Sequence, residues 1–266
     1  MSQPMVLVQG LTRRFGALAA VDRLDLSVRS GEIFGLLGRN GAGKTTLIKM
    51  LTTLLPPTAG GARIAGFDVV TQAASVRRVI GYVPQALSAD AELTGYENLL
   101  VFCKLFDVPR RERAARIDEA LEFMGLTDAA HNLVKSYSGG MIRRLEIAQS
   151  TLHRPHVLFL DEPTVGLDPL ARHAVWEHVE RLKARFGSTI VLTTHYMEEA
   201  DRLCEQIAIL NHGRLVALGA PADLRAQQGP GATLDDVFAH YTGDAKEEAE
   251  RYDDISRARR TAGRLG

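Results

Sequence analysis

The sequence predicts an α/β fold built around a mainly parallel sheet, and three observations carry that prediction. Two apolar runs, HVLFLDEP (156–163) and STIVLTTH (188–195), are continuous rather than alternating, the pattern of strands buried on both faces. An amphipathic stretch long enough for a helix, ARHAVWEHVERLKARFG, lies between them and completes a strand–helix–strand unit. A third apolar run, IFGLL, enters a glycine-rich turn that is followed by a further helical pattern.

The remaining elements follow in order. MVLVQGLTRRFGALAAVDRLDLSVRSGEIFGLLG alternates apolar and polar residues with turn signals at Gly16 and Ser30-Gly31, and reads as three short strands ending at Gly38. TLIKMLTTLL has helical spacing and is expected to run to Pro56-Pro57. GGARIAGFDV reads as another hairpin segment, and IGYVPQ as a short strand closed by Pro84. TGYENLLVFCKLFDV and RRERAARIDEALEFMGL read as amphipathic helices separated by Pro109, with Ile117, Leu121 and Met124 on one face of the second. Residues from about 91 to 153 are therefore expected to form a helical insertion in the α/β core. QIAILNHGRLVALG reads as a hairpin. Residues 243–266 carry many charges and few large apolar groups, and are expected to form a loose or partner-dependent tail.

Composition removes several functional classes. The 266 residues contain 32 Lys plus Arg and 32 Asp plus Glu, a balance that gives no support for bulk nucleic-acid or lipid binding. Cys103 and Cys204 sit in apolar stretches without metal-motif spacing, and are expected to be buried thiols of a reducing compartment. The first residues lack the basic and apolar regions of a signal peptide. No apolar run approaches the roughly 20 residues of a membrane helix, so a membrane role would require a partner.

GRNGAGKTT (38–46) holds the strongest chemical signal. A strand, then G-x-x-x-x-G-K-[ST], then a helix is a phosphate-binding loop. Its glycines let successive amides turn inward to form an anion nest at a helix N-terminus. Gly38, Arg39, Asn40, Gly41, Ala42, Gly43, Lys44, Thr45 and Thr46 are the expected nucleotide-binding residues, with Lys44 reaching the β- and γ-phosphates and Thr45 a Mg²⁺ ion. VLFLDEPT supplies a second half. Asp161, at the end of a buried strand, is placed to hold the Mg²⁺ shell, and Glu162 to face the water that attacks the γ-phosphate. Taken alone, the acid pair reads equally as the first turn of a helix.

With these residues in place, the chain resembles the nucleotide-binding subunit of ABC transporters over about residues 5–242. YSGGMIRRLEIAQ resembles the family signature with Ser138, Gly139 and Gly140 kept, although Tyr137 and Met141 stand where Leu and Gln are usual. YVPQ resembles the Q-loop, with Gln85 near Mg²⁺ and the attacking water. GLDP resembles the D-loop with Asp168, and LTTHYMEEAD the switch segment with His195 on the γ-phosphate. Phe15 stands where the family stacks an aromatic on adenine, and Arg39 where it commonly has Pro.

The resemblance implies a P-loop NTPase (RecA-like) core with a parallel sheet, an antiparallel β subdomain and an inserted α-helical subdomain. It also implies ATP and Mg²⁺ as cofactors. A second nucleotide-binding subunit, expected to be another copy of this chain, would supply Ser138, Gly139 and Gly140 in trans. Residues 1–242 would be the nucleotide-binding domain. The later segments are similar to export ATPases of the ABC-2, daunorubicin-exporter type. That similarity implies an ABC-2-type transmembrane permease as partner, a peripheral place at the cytoplasmic face of the membrane through that permease, and no nucleic-acid partner. Leu99, Leu100, Phe102, Leu105 and Phe106 form an apolar face, mostly core, whose edge could meet the permease. The rival reading within the family is a soluble ATPase acting on nucleic acid or ribosomes; a nucleotide sensor that barely hydrolyses is a third, which Glu162 and His195 oppose.

Overall fold

The computed structural model describes residues 4–243. The tail expected over 243–266 falls, apart from Gly243, outside the described residues, together with Arg257, Arg259, Arg260 and Arg264.

Two sheets form among the described residues. Strands β1 (Val6–Phe15) and β2 (Leu18–Val28) pair antiparallel, and with β4 (Ala59–Ile64) and β5 (Phe67–Asp68) they make a sheet of order β2-β1-β4-β5. The first two strands are 10 and 11 residues long, not short. Register shifts after Val8 let β1 bend and continue as far as Phe15. The second sheet has the order β10-β9-β3-β8-β7-β6, from β3 (Ile33–Leu37), β6 (Ile80–Val83), β7 (Val157–Asp161), β8 (Thr189–Thr194), β9 (Gln206–Asn211) and β10 (Arg214–Gly219). Its strands run parallel except β10, which returns antiparallel on β9.

The continuous apolar runs now have a cause. Every residue of β3, β7 and β8 is buried. Phe34, Leu36, Phe159 and Val191 enter one core with β1, β2, β4 and the helix α1 (Lys44–Leu51). Their alternating neighbours Ile33, Leu37, Leu158, Leu160, Ile190 and Leu192 enter the opposite core. A strand covered on both faces has no position left for a polar residue until it ends.

The second core is closed by helices inserted between β6 and β7: α3 (Gly95–Leu105), α4 (Arg110–Phe123) and α5 (Gly139–Thr151), after the short α2 (Ala73–Val79). Thr94 and Glu97 cap α3 reciprocally, and Pro109 opens α4. Helix α5 lies so close to β6 that a side chain on Gly81 would collide with the carbonyl oxygen of Ser150. Helices α6 (Pro169–Phe186), α7 (Met197–Leu203), α8 (Pro221–Gln228) and α9 (Leu234–Thr242) complete the described chain. No described helix is long and apolar enough to cross a membrane. Cys103 and Cys204 are both buried free thiols.

Helices α1 and α2 differ from expectation. Helix α1 stops at Leu51, well before Pro56, because Thr53 turns left-handed (φ +65°) and the amides of Leu54 and Leu55 both close on the carbonyl of Lys49. Helix α2 has a single buried residue, Val76, too little to mark it by periodicity. The apolar face of α3 divides as expected, with Leu99 buried and Leu105 exposed.

Two histidines, His178 buried and His153 partly buried, are expected to make stability depend on pH. His153 stacks on Phe106 at 3.9 Å, bonds the carbonyl of Ile80 through Nε2 at 2.8 Å, and leaves Nδ1 buried without a partner. Burial pulls its pKa below the ordinary value, the Ile80 bond opposes this, and Arg116 adds to it; His178 is lowered chiefly by burial too. A depressed folded-state pKa makes the contribution full above the unfolded value of about 6.5 and lost as pH falls below it. Acidification from about pH 7.5 to about 5.5 is therefore expected to lower the thermal midpoint. His153→Gln should shrink that drop; an unchanged drop would exclude His153 as its source.

Candidate functional site

The glycine-rich loop leaves β3 at Gly38 and enters α1 at Lys44. Gly43 must be glycine: its φ is +103°, and a side chain there would strike the carbonyl oxygen of Ala20 on β2. No side chain caps the N-terminus of α1, so its first amides remain available to an anion. Lys44 is only 4% exposed. Its ammonium donates to the carbonyls of Gly38 at 2.6 Å and Arg39 at 3.3 Å, and pairs with Glu162 Oε1 at 3.2 Å.

Asp161 and Glu162 follow from the end of β7, with β8 beside them. Asp161 Oδ1 accepts from Thr193 Oγ1 at 2.6 Å and from Thr45 Oγ1 at 3.3 Å. Its Oδ2 is buried with no hydrogen-bond partner. A buried carboxylate oxygen left open beside a hydroxyl fits a hard cation that takes oxygen ligands. Among the described residues no group of three or more His, Cys, Asp or Glu could cage a metal alone, so such an ion would draw its other ligands from phosphate and water. The Asp161 charge also reaches Tyr82 on β6: burial first, then that carboxylate, push the phenol up to about 12.

Glu162 has a left-handed backbone (φ +49°), a conformation that costs energy for a residue with a side chain. Its amide is held by Thr193 Oγ1 at 2.9 Å. That turn swings the carboxylate away from Asp161 and into a second set of groups. Gln85 Nε2 donates to Oε2 at 3.1 Å, while His195 Nδ1 lies 3.5 Å from Oε1 without hydrogen-bond geometry. The structure therefore gathers Lys44, Thr45, Gln85, Asp161, Glu162 and His195 into one cluster at the C-terminal ends of β3, β6, β7 and β8. This is the edge where open α/β sheets bind ligands.

Phe15, Ser138, Gly139, Gly140 and Asp168 stand apart, and among the described residues no hydrogen bond or ion pair joins these five to the cluster. Ser138 caps α5 and, like Gly139, is exposed. Gly140 is buried against Ala171. Asp168 caps α6 through the amide of Ala171. Phe15 is 48% exposed, with the guanidinium of Arg13 over its ring at 4.7 Å.

Sequence reading missed two supports of this cluster. Thr193 serves both acids at once. Glu199, fully buried on α7, accepts at one oxygen from Thr164 Oγ1 and Trp176 Nε1, each at 2.8 Å, and so ties the turn after Glu162 to the segment after His195. Burial raises the pKa of Glu199 against these donors. The only sequence signal for either residue was its nearness to a motif.

Comparison with known proteins gives the family. Residues 21–165 match the family described as ABC transporter. The chain is 46% identical over 229 residues to the daunorubicin resistance ATP-binding protein DrrA3 of Streptomyces coeruleorubidus, covering 86% of this chain and 72% of that protein. It is 45% identical over 223 residues to the Nod factor export ATP-binding protein I of Ralstonia nicotianae, covering 84% and 69% respectively. A solved structure described as an ATP binding subunit of an ABC transporter superposes with a TM-score of 0.80 at 32% identity, over 89% of this chain and 99% of that one. The chain belongs to the ABC transporter family. It is an ATP-binding subunit with a P-loop NTPase fold, whose ATPase activity drives transport.

Thr193→Val tests the missed support. It removes the shorter of the two hydroxyl donors to Asp161 Oδ1, leaving Thr45, and one of two acceptors of the Glu162 amide, leaving the Thr193 carbonyl at 3.2 Å. A loss of about 1–3 kcal/mol in urea unfolding is expected. Steady-state ATP turnover should fall with it, by about tenfold or more. Unchanged turnover would show that Thr193 does not hold the acids in place.

Proposed function

We propose that this chain binds Mg²⁺-ATP between the 38–46 loop of one copy and Ser138, Gly139 and Gly140 of a second. Hydrolysis at Glu162 would then drive efflux of a drug or other hydrophobic compound through a separate ABC-2-type permease. The observation that carries this reading is the convergence of Lys44, Gln85 and His195 on the Glu162 carboxylate.

An entering triphosphate would compete with Glu162 for Lys44, since one buried ammonium faces both. Once released, Glu162 is placed to take a proton from a water attacking the γ-phosphorus, with ADP as the leaving group. Gln85 would orient that water, and His195 would turn to the γ-phosphate. Thr45 and Asp161 would hold Mg²⁺, which neutralises charge on the β- and γ-phosphates when bound. The half-exposed ring of Phe15 supplies a face for adenine. Ser138 and Gly139 point to solvent and serve no phosphate in their own copy, which supports a head-to-tail pair of identical chains. ATP would then favour closure, because only the closed pair surrounds the γ-phosphate.

As an ATP-binding subunit, the chain works with a membrane permease. That the permease is of the ABC-2 type, and that the chain sits at the cytoplasmic face through it, is our reading; similarity to a resistance and an export ATP-binding protein supports the export role. We read residues 1–242 as the nucleotide-binding domain, with the insertion at about 91–153, and 243–266 as an appended tail.

Glu162→Gln is expected to retain ATP affinity, to lose turnover by at least about a hundredfold, and to accumulate as an ATP-bound dimer in size-exclusion chromatography. Hydrolysis at the parent rate would remove Glu162 as the base. Capture of the tagged chain from detergent-solubilised membranes should recover a polytopic partner. Recovery of ribosomal or DNA-processing proteins alone would instead favour a soluble client.

A further inference from the structure

Helix α5 buries a polar face. Arg143, Glu146, Gln149 and Ser150 recur at helical spacing, and all four are almost fully buried. Much of that face turns toward residues 84–90, the irregular segment that follows β6 and begins with Pro84 and Gln85. The Arg143 guanidinium donates to two successive carbonyls, Pro84 at 2.7 Å and Gln85 at 2.8 Å, and to Glu146 Oε2 at 3.0 Å. Glu146 Oε1 accepts from Ser88 Oγ at 3.1 Å, from the amide of Ala89 at 3.3 Å and from the amide of Ser88. Gln149 reaches the same segment indirectly, through Asn98, whose side chain bonds the amide and carbonyl of Asp90.

A buried ion pair is a poor device for stability alone, because apolar residues of similar size would hold α5 on β6 at least as well. What it adds is orientation. Arg143 presents a planar fork that fixes two consecutive peptide groups, and Gln85 is one of them. The Gln85 side chain then bonds Glu162. The same helix begins at Gly139, directly after Ser138. A single rigid element therefore runs from the exposed Ser138–Gly139 turn to the residue that touches the proposed base. Burial lowers the pKa of Arg143, while Glu146 and then Asp161 raise it.

We propose that Arg143 and Glu146 are positioning residues for ATP hydrolysis: they clamp the 84–90 segment to α5, so that the aim of Gln85 at Glu162 follows the position of the Ser138–Gly140 end of that helix. Neither residue touches nucleotide. The inference rests on the reading of Gln85 and Glu162 as the groups that activate water.

The test is a double-mutant cycle on the full chain, measuring kcat, KM for ATP and the thermal midpoint. Lysine cannot bridge two carbonyls and a carboxylate in the manner of a guanidinium. Arg143→Lys should therefore lower kcat by about tenfold while KM moves less than about twofold. In a Gln85→Ala background the same substitution should change kcat by less than about twofold, since its route to the site is already cut. Glu146→Gln should behave likewise, and stands in if Arg143→Lys does not fold. A kcat within about twofold of the parent for both variants would overturn the clamp, as would equal losses in both backgrounds, the mark of general damage to the fold. If Gln85→Ala alone leaves kcat unchanged, the water-activating reading falls, and the clamp with it. A large Gln85→Ala effect beside a neutral Arg143→Lys overturns the clamp alone.

Discussion

A buried ammonium has to be paired, and the pairing of Lys44 organises everything around it. At 4% exposure its charge cannot be left to water, so loop carbonyls and the Glu162 carboxylate must reach it. The loop carbonyls can do so only because Gly43 adopts a backbone closed to other residues. Glu162 can do so only because its own backbone turns left-handed after β7, and Thr193 on the neighbouring strand holds that turn. One charge thus recruits compensation from β3, β7 and β8, and the strain at Glu162 persists because several groups fix it together.

The sheet makes this affordable by separating apolar from polar along each strand. Within β3 and β7 the side chains alternate between two cores, and polarity is deferred to the strand ends. Lys44, Asp161 and Glu162 stand beyond or at those ends, where the helix dipole of α1 and the open edge of the sheet meet. Parallel strands place all their C-terminal ends on one side, so residues more than a hundred positions apart, such as Thr45 and Asp161, come within hydrogen-bond reach.

This division explains what could be read in the sequence. The buried strands, the glycine loop and the acid pair were legible because each is written in consecutive residues. The domain contacts were not. Thr193 reads as one more β-branched strand residue, and only its neighbour across β7 gives it work. Nothing in the sequence marks the polar face of α5 as buried, because buried charges imitate exposed ones until their partners are known. Arg143 finds its partners almost sixty residues upstream, in a segment without regular structure. Glu199 is similar: its donors lie 35 and 23 residues away, on a loop and a helix. The early end of α1 was hidden for the opposite reason. TLIKMLTTLL keeps its apolar spacing past Leu51, and the stop comes from a left-handed threonine that propensity does not mark.

Glu162 is where two lines of force meet. From one side Lys44 links it to the loop that is built for phosphate. From the other, Gln85 links it through the Arg143 fork to the helix that carries Ser138 and Gly139 at its exposed end. Both links are polar contacts of ordinary length, and on the proposed reading an entering nucleotide exchanges the Lys44 one. Apolar packing holds α5 and β7 in their places, while these polar bonds decide where one carboxylate points. On the proposed reading, a site built this way answers to two inputs, an anion in the loop and a second copy of the chain against the helix end.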